Sequence, residues 1–405
     1  MQNIVGSPAR GEDFFDREDL VELLWSRLET GNVLLAAPRR FGKTSVMYRL
    51  LDHPRPSWKP IHVDAESIRE PVNFVLALLD ALMADEKIRN FLRERWRGTC
   101  SWLRGLLEEA AFSGPWGLGA KIKLKAEMGP EWQERGEALL RVLRDYDGHK
   151  RVLVIIDELP VMLYLFRDNG VKDSDARAFL YWFRKLRTDP RVGLTNCRFL
   201  VGGSIGIEHY LSQLNAAAAF NDFERVALSD LSPSRAAELL AGLLDARKLK
   251  LSRASQCKVL DLVGAAIPYF IQLFVSEIGA AAACGQRTLG PKCLEALYDE
   301  RVLGAACKTY FQHYYDRLCH YDKPQELAAK EILKTLAIAY PEPLSRDHLR
   351  GLFRKTQGET AVDEGFARLL GDLENDFYVR QAPGSPGYSF ASKILCDWWR
   401  RYYAF

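Results

Sequence analysis

At 405 residues the chain is long for one domain and comfortable for two or three. Its 48% hydrophobic and 27% charged residues are those of an ordinary globular protein, and a net charge of +3 gives no global field that would advertise nucleic acid or an anionic membrane as partner. The eight cysteines, at 100, 197, 257, 284, 293, 307, 319 and 396, show no CxxC or metal-ligand spacing, so they read as reduced core thiols of a cytoplasmic protein.

Residues 1–15 carry no apolar signal segment and no periodicity, only Gly/Pro punctuation. Phe14 and Phe15 are expected to pack into the core. Asp16 can cap a helix to about Glu29, with Leu20, Leu24 and Leu28 on one face and Gly31 ending it.

Residues 33–45, Val-Leu-Leu-Ala-Ala-Pro-Arg-Arg-Phe-Gly-Lys-Thr-Ser, are a short apolar run, a polar turn and the opening of a helix. Backbone N–H groups from Pro38, Arg39, Arg40, Phe41, Gly42 to Ser45, less the proline's, and the positive helix end can cradle phosphates. Lys43 would reach β/γ oxygens and the Thr44 hydroxyl would ligate Mg²⁺. Gly42 lets the backbone pass close to phosphate, and Arg39 and Arg40 add charge. Ala37 stands where the motif has its first glycine; if position 37 needs positive φ, alanine costs ~1 kcal/mol.

The helix after Lys43 should stop at Pro54 and Pro56. Ile61 to Asp64 reads as a second strand, with Asp64 a cap or an indirect Mg²⁺ group. Helical text runs from 71 to 111. Residues 114–130 break it, and the alternation of Lys121, Ile122, Lys123, Leu124 and Lys125 predicts an exposed β-ribbon with one basic face.

Residues 151–158 end an aliphatic run in two carboxylates, Asp157 and Glu158. That is a buried parallel strand with acids at its C-terminal end, where ligands of open α/β sheets bind. Asp157 is placed to hold Mg²⁺. Glu158 is placed to orient or deprotonate the water that attacks a γ-phosphate.

A helix at 174–188 and a buried strand at 197–204 follow, with Ser204 at its end as a candidate γ-phosphate sensor. Residues 222–228 give the last strand. From Leu231 the chain turns helical: Ser232 caps, Pro233 takes the first helical position, and a second helix begins near Pro268. Residues 263–285 are too often broken, by Pro268, Gln272, Ser276 and Glu277, to span a membrane. Helices at 326–339, 345–354 and 361–374, two short strands around a Gly384-Ser385-Pro386-Gly387 turn and a closing aromatic helix have the order of a winged helix. Its third helix holds Asp363, Glu364, Asp372 and Glu374 against Arg368, which disfavours DNA groove reading, although the second is basic with Arg346, Arg350, Arg354 and Lys355. A protein-contact or autoinhibitory role is expected there.

With these pieces the chain resembles the archaeal-type ATPases of the STAND group of P-loop NTPases, relatives of the AAA+ class with a C-terminal winged helix. The resemblance spans nearly the whole chain. It rests on Gly6-Ser7-Pro8 and Phe14-Phe15-Asp16-Arg17-Glu18, on the Walker A-like stretch Pro38 to Ser45, and on the Walker B-like Ile156-Asp157-Glu158. Gly203-Ser204, Ile267-Pro268-Tyr269 and the terminal Tyr388-Ser389-Phe390 with Asp397-Trp398-Trp399-Arg400-Arg401 add to it. In the lid the family's glycine two before the proline is Ala266 here.

The resemblance implies an α/β P-loop NTPase domain over 1–228, a helical lid over 229–324 and a winged helix over 325–405. It also implies ATP/ADP and Mg²⁺ as ligands, Pro268 near the adenine, and a nucleotide-dependent switch with a protein partner or self-association through lid and winged helix. Residues 205–221, where AAA+ oligomers usually carry an arginine acting in trans, contain no Arg or Lys; Arg184 or Arg187, in the preceding helix, could substitute. Without that cation hydrolysis should be slow. The rival expectations are an oligomeric AAA+-like ATPase acting on DNA and a hydrolysis-deficient nucleotide-binding scaffold.

Overall fold

A computed structural model describes the chain apart from residues 100–117, 147–149, 192–193, 195, 204–206, 286–288, 359–362, 383 and 405. It forms two compact units, one of residues 17–36 and 46–228 and one of residues 1–16, 37–45 and 229–405.

The first unit is an α/β fold. In chain order it holds α1 (Glu18–Thr30), β1 (Asn32–Ala36), most of α2 (Lys43–Asp52), β2 (Trp58–Asp64), α3 (Pro71–Ala84), α4 (Glu86–Thr99), α5 (Leu118–Met128) and α6 (Trp132–Arg141). These are followed by β3 (Arg151–Asp157), α7 (Leu159–Asp168), α8 (Asp173–Thr188), β4 (Cys197–Gly203), α9 (Ile207–Gln213) and β5 (Phe223–Ala227). The five strands are parallel in the order β2-β3-β4-β1-β5. Burial on both faces explains the unbroken aliphatic text of β3, whose Val152 to Ile156 are fully buried. The β5 edge is protected by charge instead: Glu224 pairs with Arg27 at 2.9 Å and Arg225 with Glu208 at 3.3 Å.

The second unit holds the N-terminal lead, the loop 37–45 and the C-terminal helices. These are α10 (Pro233–Ala246), α11 (Arg253–Val263), α12 (Pro268–Ala283), α13 (Pro291–Leu297), α14 (Lys308–Asp316), α15 (Lys323–Ala339), α16 (Arg346–Gln357) and α17 (Asp363–Asn375). The hairpin β6 (Val379–Gln381) and β7 (Tyr388–Phe390) and the closing α18 (Lys393–Tyr403) complete it. Ser232 caps α10 through Arg235 N at 3.3 Å, and Ser345 caps α16 through His348 N at 3.2 Å. An aromatic stack, Phe270 on Phe311 at 5.5 Å and Phe311 on Trp398 at 5.8 Å, ties α12, α14 and α18 into one core. Gly264 has φ +76°, and an added Cβ there would lie 2.6 Å from Lys393 Cβ and 3.0 Å from its backbone N, so α11 and α18 approach this closely only with glycine.

Three expectations are corrected. Residues 118–128 form a helix rather than a β-ribbon: Leu124 and Met128, one turn apart, are buried, and Lys125 pairs with Glu70 at 2.8 Å. A five-residue alternation satisfies both periods, and the turn-spaced apolar pair decides for helix. Asp16 does not cap α1; it has φ 60° and its carboxylate binds Arg235 at 3.1 Å. Phe15 is half-buried rather than core, with the Arg235 guanidinium 5.5 Å from its ring centroid. No helix among the described residues is long and apolar enough to cross a membrane.

Candidate functional site

The acids come together on the sheet. Asp64 and Asp157 are register partners at the C-terminal ends of β2 and β3. Asp157 is 5% exposed, and its Oδ1 accepts the Glu158 N–H at 3.0 Å. Asp64 Oδ1 accepts from Glu66 N at 3.0 Å, closing a local turn and capping no helix. Glu158 sits in the left-handed region at φ 56°, at the N-cap position of α7 with Pro160 in that helix's first turn. This conformation costs a non-glycine residue on the order of 1–3 kcal/mol and commonly marks functional sites. Gly203 of β4 makes the turn fit, since a Cβ there would lie 2.2 Å from Pro160 Cδ.

β1 is separated from β3 by β4, so the ends of the two strands lie two strand spacings apart, about 10 Å. From Ala36 the chain runs directly into the loop. Ala37 does not take positive φ; Arg40 does, at 76°, as does Gly42 at 91°. The alanine at 37 therefore carries no backbone strain, and the demanding position is one filled by arginine. A Cβ added to Gly42 meets no protein atom within 4 Å, so its requirement within the chain is conformational. Lys43 opens α2 and is 5% exposed, and no acid lies in that helix's first turn. A tight turn with two positive-φ residues leads here into a helix N-terminus, whose free N–H groups and positive dipole end favour anions.

Around the loop, within the same unit, stand residues to which the sequence reading gave no role in it. The Arg40 guanidinium lies 4.2 Å from the centroid of the Tyr269 ring. Tyr269 directly follows Pro268, the first residue of α12. Phe41 packs edge-on against Phe377 at 4.8 Å, and the Tyr314 hydroxyl donates to the Arg39 carbonyl at 3.4 Å. Ser45 Oγ accepts from Ala9 N at 2.9 Å, which ties the lead to the loop. His313 is pushed down to about 2 by burial and then by Arg317, Arg40 and Arg39, so its imidazole is neutral. Burial pushes the Tyr314 hydroxyl up to about 12. Adjacency to Pro268 was the one sequence signal for Tyr269; Tyr314 and Phe377 lie hundreds of positions away and had none.

Ser204 lies outside the described residues. Arg187 cannot act as a finger: its side chain is fully buried and bonds Asp222 at 2.8 and 2.9 Å and the Ala219 carbonyl at 2.6 Å.

No protein-family model matches the chain, and no curated protein matches it. Solved structures do. A Walker-type ATPase of Pyrococcus abyssi superposes with a TM-score of 0.65 at 16% identity, covering 99% of this chain and 100% of that one. The ORC2 protein of Aeropyrum pernix, solved as ADPNP–ADP complexes, superposes with a TM-score of 0.52 at 13% identity, covering 96% and 94%. The fold is therefore that of the P-loop NTPases: a five-stranded parallel sheet followed by a helical C-terminal region.

Proposed function

We propose that this chain binds ATP with Mg²⁺ and hydrolyses it slowly to ADP, the bound nucleotide biasing its lid and C-terminal helices toward one of two arrangements. The observation that carries the reading is the sheet order: the strand that leads into Gly42-Lys43-Thr44 and the strand that ends in Asp157-Glu158 flank one intervening strand, with their ends at the same edge. The C-terminal ends of parallel strands are where ligands of open α/β sheets bind.

The residues present fit the ligands. Among the described residues no group of three or more His, Cys, Asp or Glu could hold a metal alone. Mg²⁺ is instead commonly held by one or two protein oxygens together with phosphate oxygens and water. Thr44 and Asp157 would supply those protein oxygens, and the Glu158 N–H fixes the rotation of the Asp157 carboxylate. Bound there, the metal would withdraw charge from the β/γ oxygens. Lys43 neutralises the phosphates, and Glu158 orients the attacking water and takes its proton. Slow turnover is supported by the absence of Arg and Lys from residues 205–221 and by the sequestration of Arg187.

The test is nucleotide affinity and phosphate release in full-length variants. Lys43→Ala should abolish binding, and Glu158→Gln should bind ATP and retain it unhydrolysed. Equal affinity of Lys43→Ala and wild type would refute the reading. Tight binding without phosphate release, unchanged in Glu158→Gln, would favour the scaffold instead. A DNA-acting ATPase has less support: Arg350 pairs with Asp347 at 2.8 Å and Arg354 with Asp363 at 2.9 Å, so the basic helix α16 is balanced by acids within its own unit. A protein partner or a second copy is the better candidate.

A further inference from the structure

We infer that Tyr269 is a positioning residue of the phosphate loop: its ring holds the Arg40 guanidinium and thereby keeps residue 40 in the left-handed conformation the loop uses. The effect on nucleotide affinity rests on the function proposed above; the effect on the loop does not.

The argument starts from the backbone. A left-handed residue between Arg39 and Phe41 would be free of strain as glycine, and this chain has arginine there, at φ 76°. Something must offset the strain of that conformation, and the Cβ of residue 40 launches a side chain that finds a partner. Its guanidinium lies 4.2 Å from the Tyr269 ring centroid, within the range of a cation–π contact. Tyr269 is 5% exposed and is itself fixed, edge-on to Tyr310 at 6.1 Å and adjacent to Phe270, which stacks on Phe311. A ring so well desolvated puts the contact toward the stronger end of its range.

The polar atoms say which part of each group matters. Among the described residues the buried Tyr269 hydroxyl has no hydrogen-bond partner, so the contact is made by the face of the ring. Arg40 Nε is likewise buried without one, so the ring compensates this cation's lost hydration. The positions on either side are clamped separately, the Arg39 carbonyl by Tyr314 and the Phe41 ring by Phe377. What Tyr269 controls is therefore residue 40 alone. In this arrangement Arg40 anchors the loop to the start of α12.

The experiment measures amide hydrogen exchange at residues 40–42 of the full chain without nucleotide, and affinity for a fluorescent ATP analogue. Tyr269→Leu and Arg40→Gln should each raise exchange and weaken analogue binding about tenfold. Tyr269→Phe should match wild type in both. In an Arg40→Gly background, Tyr269→Leu should change neither, because glycine takes positive φ unaided. Arg40→Gln leaves the aromatic core intact, so it reads the contact even if Tyr269→Leu folds poorly. Equal losses from Tyr269→Leu with Arg40 and with Gly at 40 would overturn the inference by making Tyr269 a plain core residue. Wild-type exchange in Arg40→Gln would overturn it too. A wild-type chain that binds no analogue would defeat the proposed function, while the exchange data would still decide the role of Tyr269.

Discussion

Replacing Arg187 with methionine should destabilise the α/β unit without touching catalysis directly. The guanidinium makes two bonds to Asp222 and one to the Ala219 carbonyl. It lies 4.3 Å from the Phe183 ring centroid and 4.4 Å from that of Phe223. Methionine can refill part of the volume between the rings, but it leaves Asp222 with Asn32 Nδ2 at 3.1 Å as its remaining side-chain donor. Breaking one partner out of a buried ion pair costs about 3–5 kcal/mol. Because α8, β1 and β5 all meet at this pair, the loss should appear as a lower urea midpoint, followed by tryptophan fluorescence and far-UV circular dichroism. Arg187→Met with Asp222→Leu should recover at least half of it, since no charge is then left buried alone.

Acid should narrow the difference. Burial works to raise the Asp222 pKa, but the hydrogen bonds and charge of Arg187 outweigh it and hold the carboxyl below its ordinary range. A depressed carboxylate stabilises the fold above its unfolded value, and this contribution is lost as pH falls through the lower folded value. Wild type and Arg187→Met should therefore converge as pH falls below the ordinary carboxylate range. An unchanged urea midpoint combined with lost ATP turnover would refute this account and restore Arg187 as a group acting on nucleotide.

His313 makes a second pH prediction, of the same sign but at higher pH. Its folded value of about 2 lies below the ordinary 6.5, so the unfolded chain takes up a proton the folded chain refuses, and stability should fall as pH drops below 6.5. At pH 5 the loss would be about 2 kcal/mol, and Asn or Gln at this position should flatten that part of the stability–pH curve. Gly203→Ala drives a Cβ into the Pro160 ring and should cost about 1–3 kcal/mol in urea unfolding while displacing Glu158; wild-type stability and turnover would show that the turn relaxes freely. Ala37→Gly should bring no gain in nucleotide affinity, because residue 37 does not need positive φ; an improvement of tenfold or more would contradict the loop geometry.

The sequence alone determined the strands of the sheet, the loop of residues 37–45 that opens α2, the acids at the end of β3 and the cap at Ser232. Each of these is written in neighbouring residues: an aliphatic run, a glycine before lysine and threonine, a serine ahead of the first helical turn. Where the text was shorter than the period it had to reveal, as at 121–125, alternation imitated a strand and burial of Leu124 and Met128 decided for helix. A motif written with glycines raised the question of positive φ at Ala37, whereas the backbone takes it at Arg40. Only the tertiary structure could show that Arg40 rests on Tyr269, Phe41 on Phe377 and Arg187 among Asp222 and three phenylalanines. A backbone preference is a property of a few adjacent residues, whereas the partner of a long cationic side chain is set by which distant rings and carboxylates packing delivers to it, and chain order does not record that.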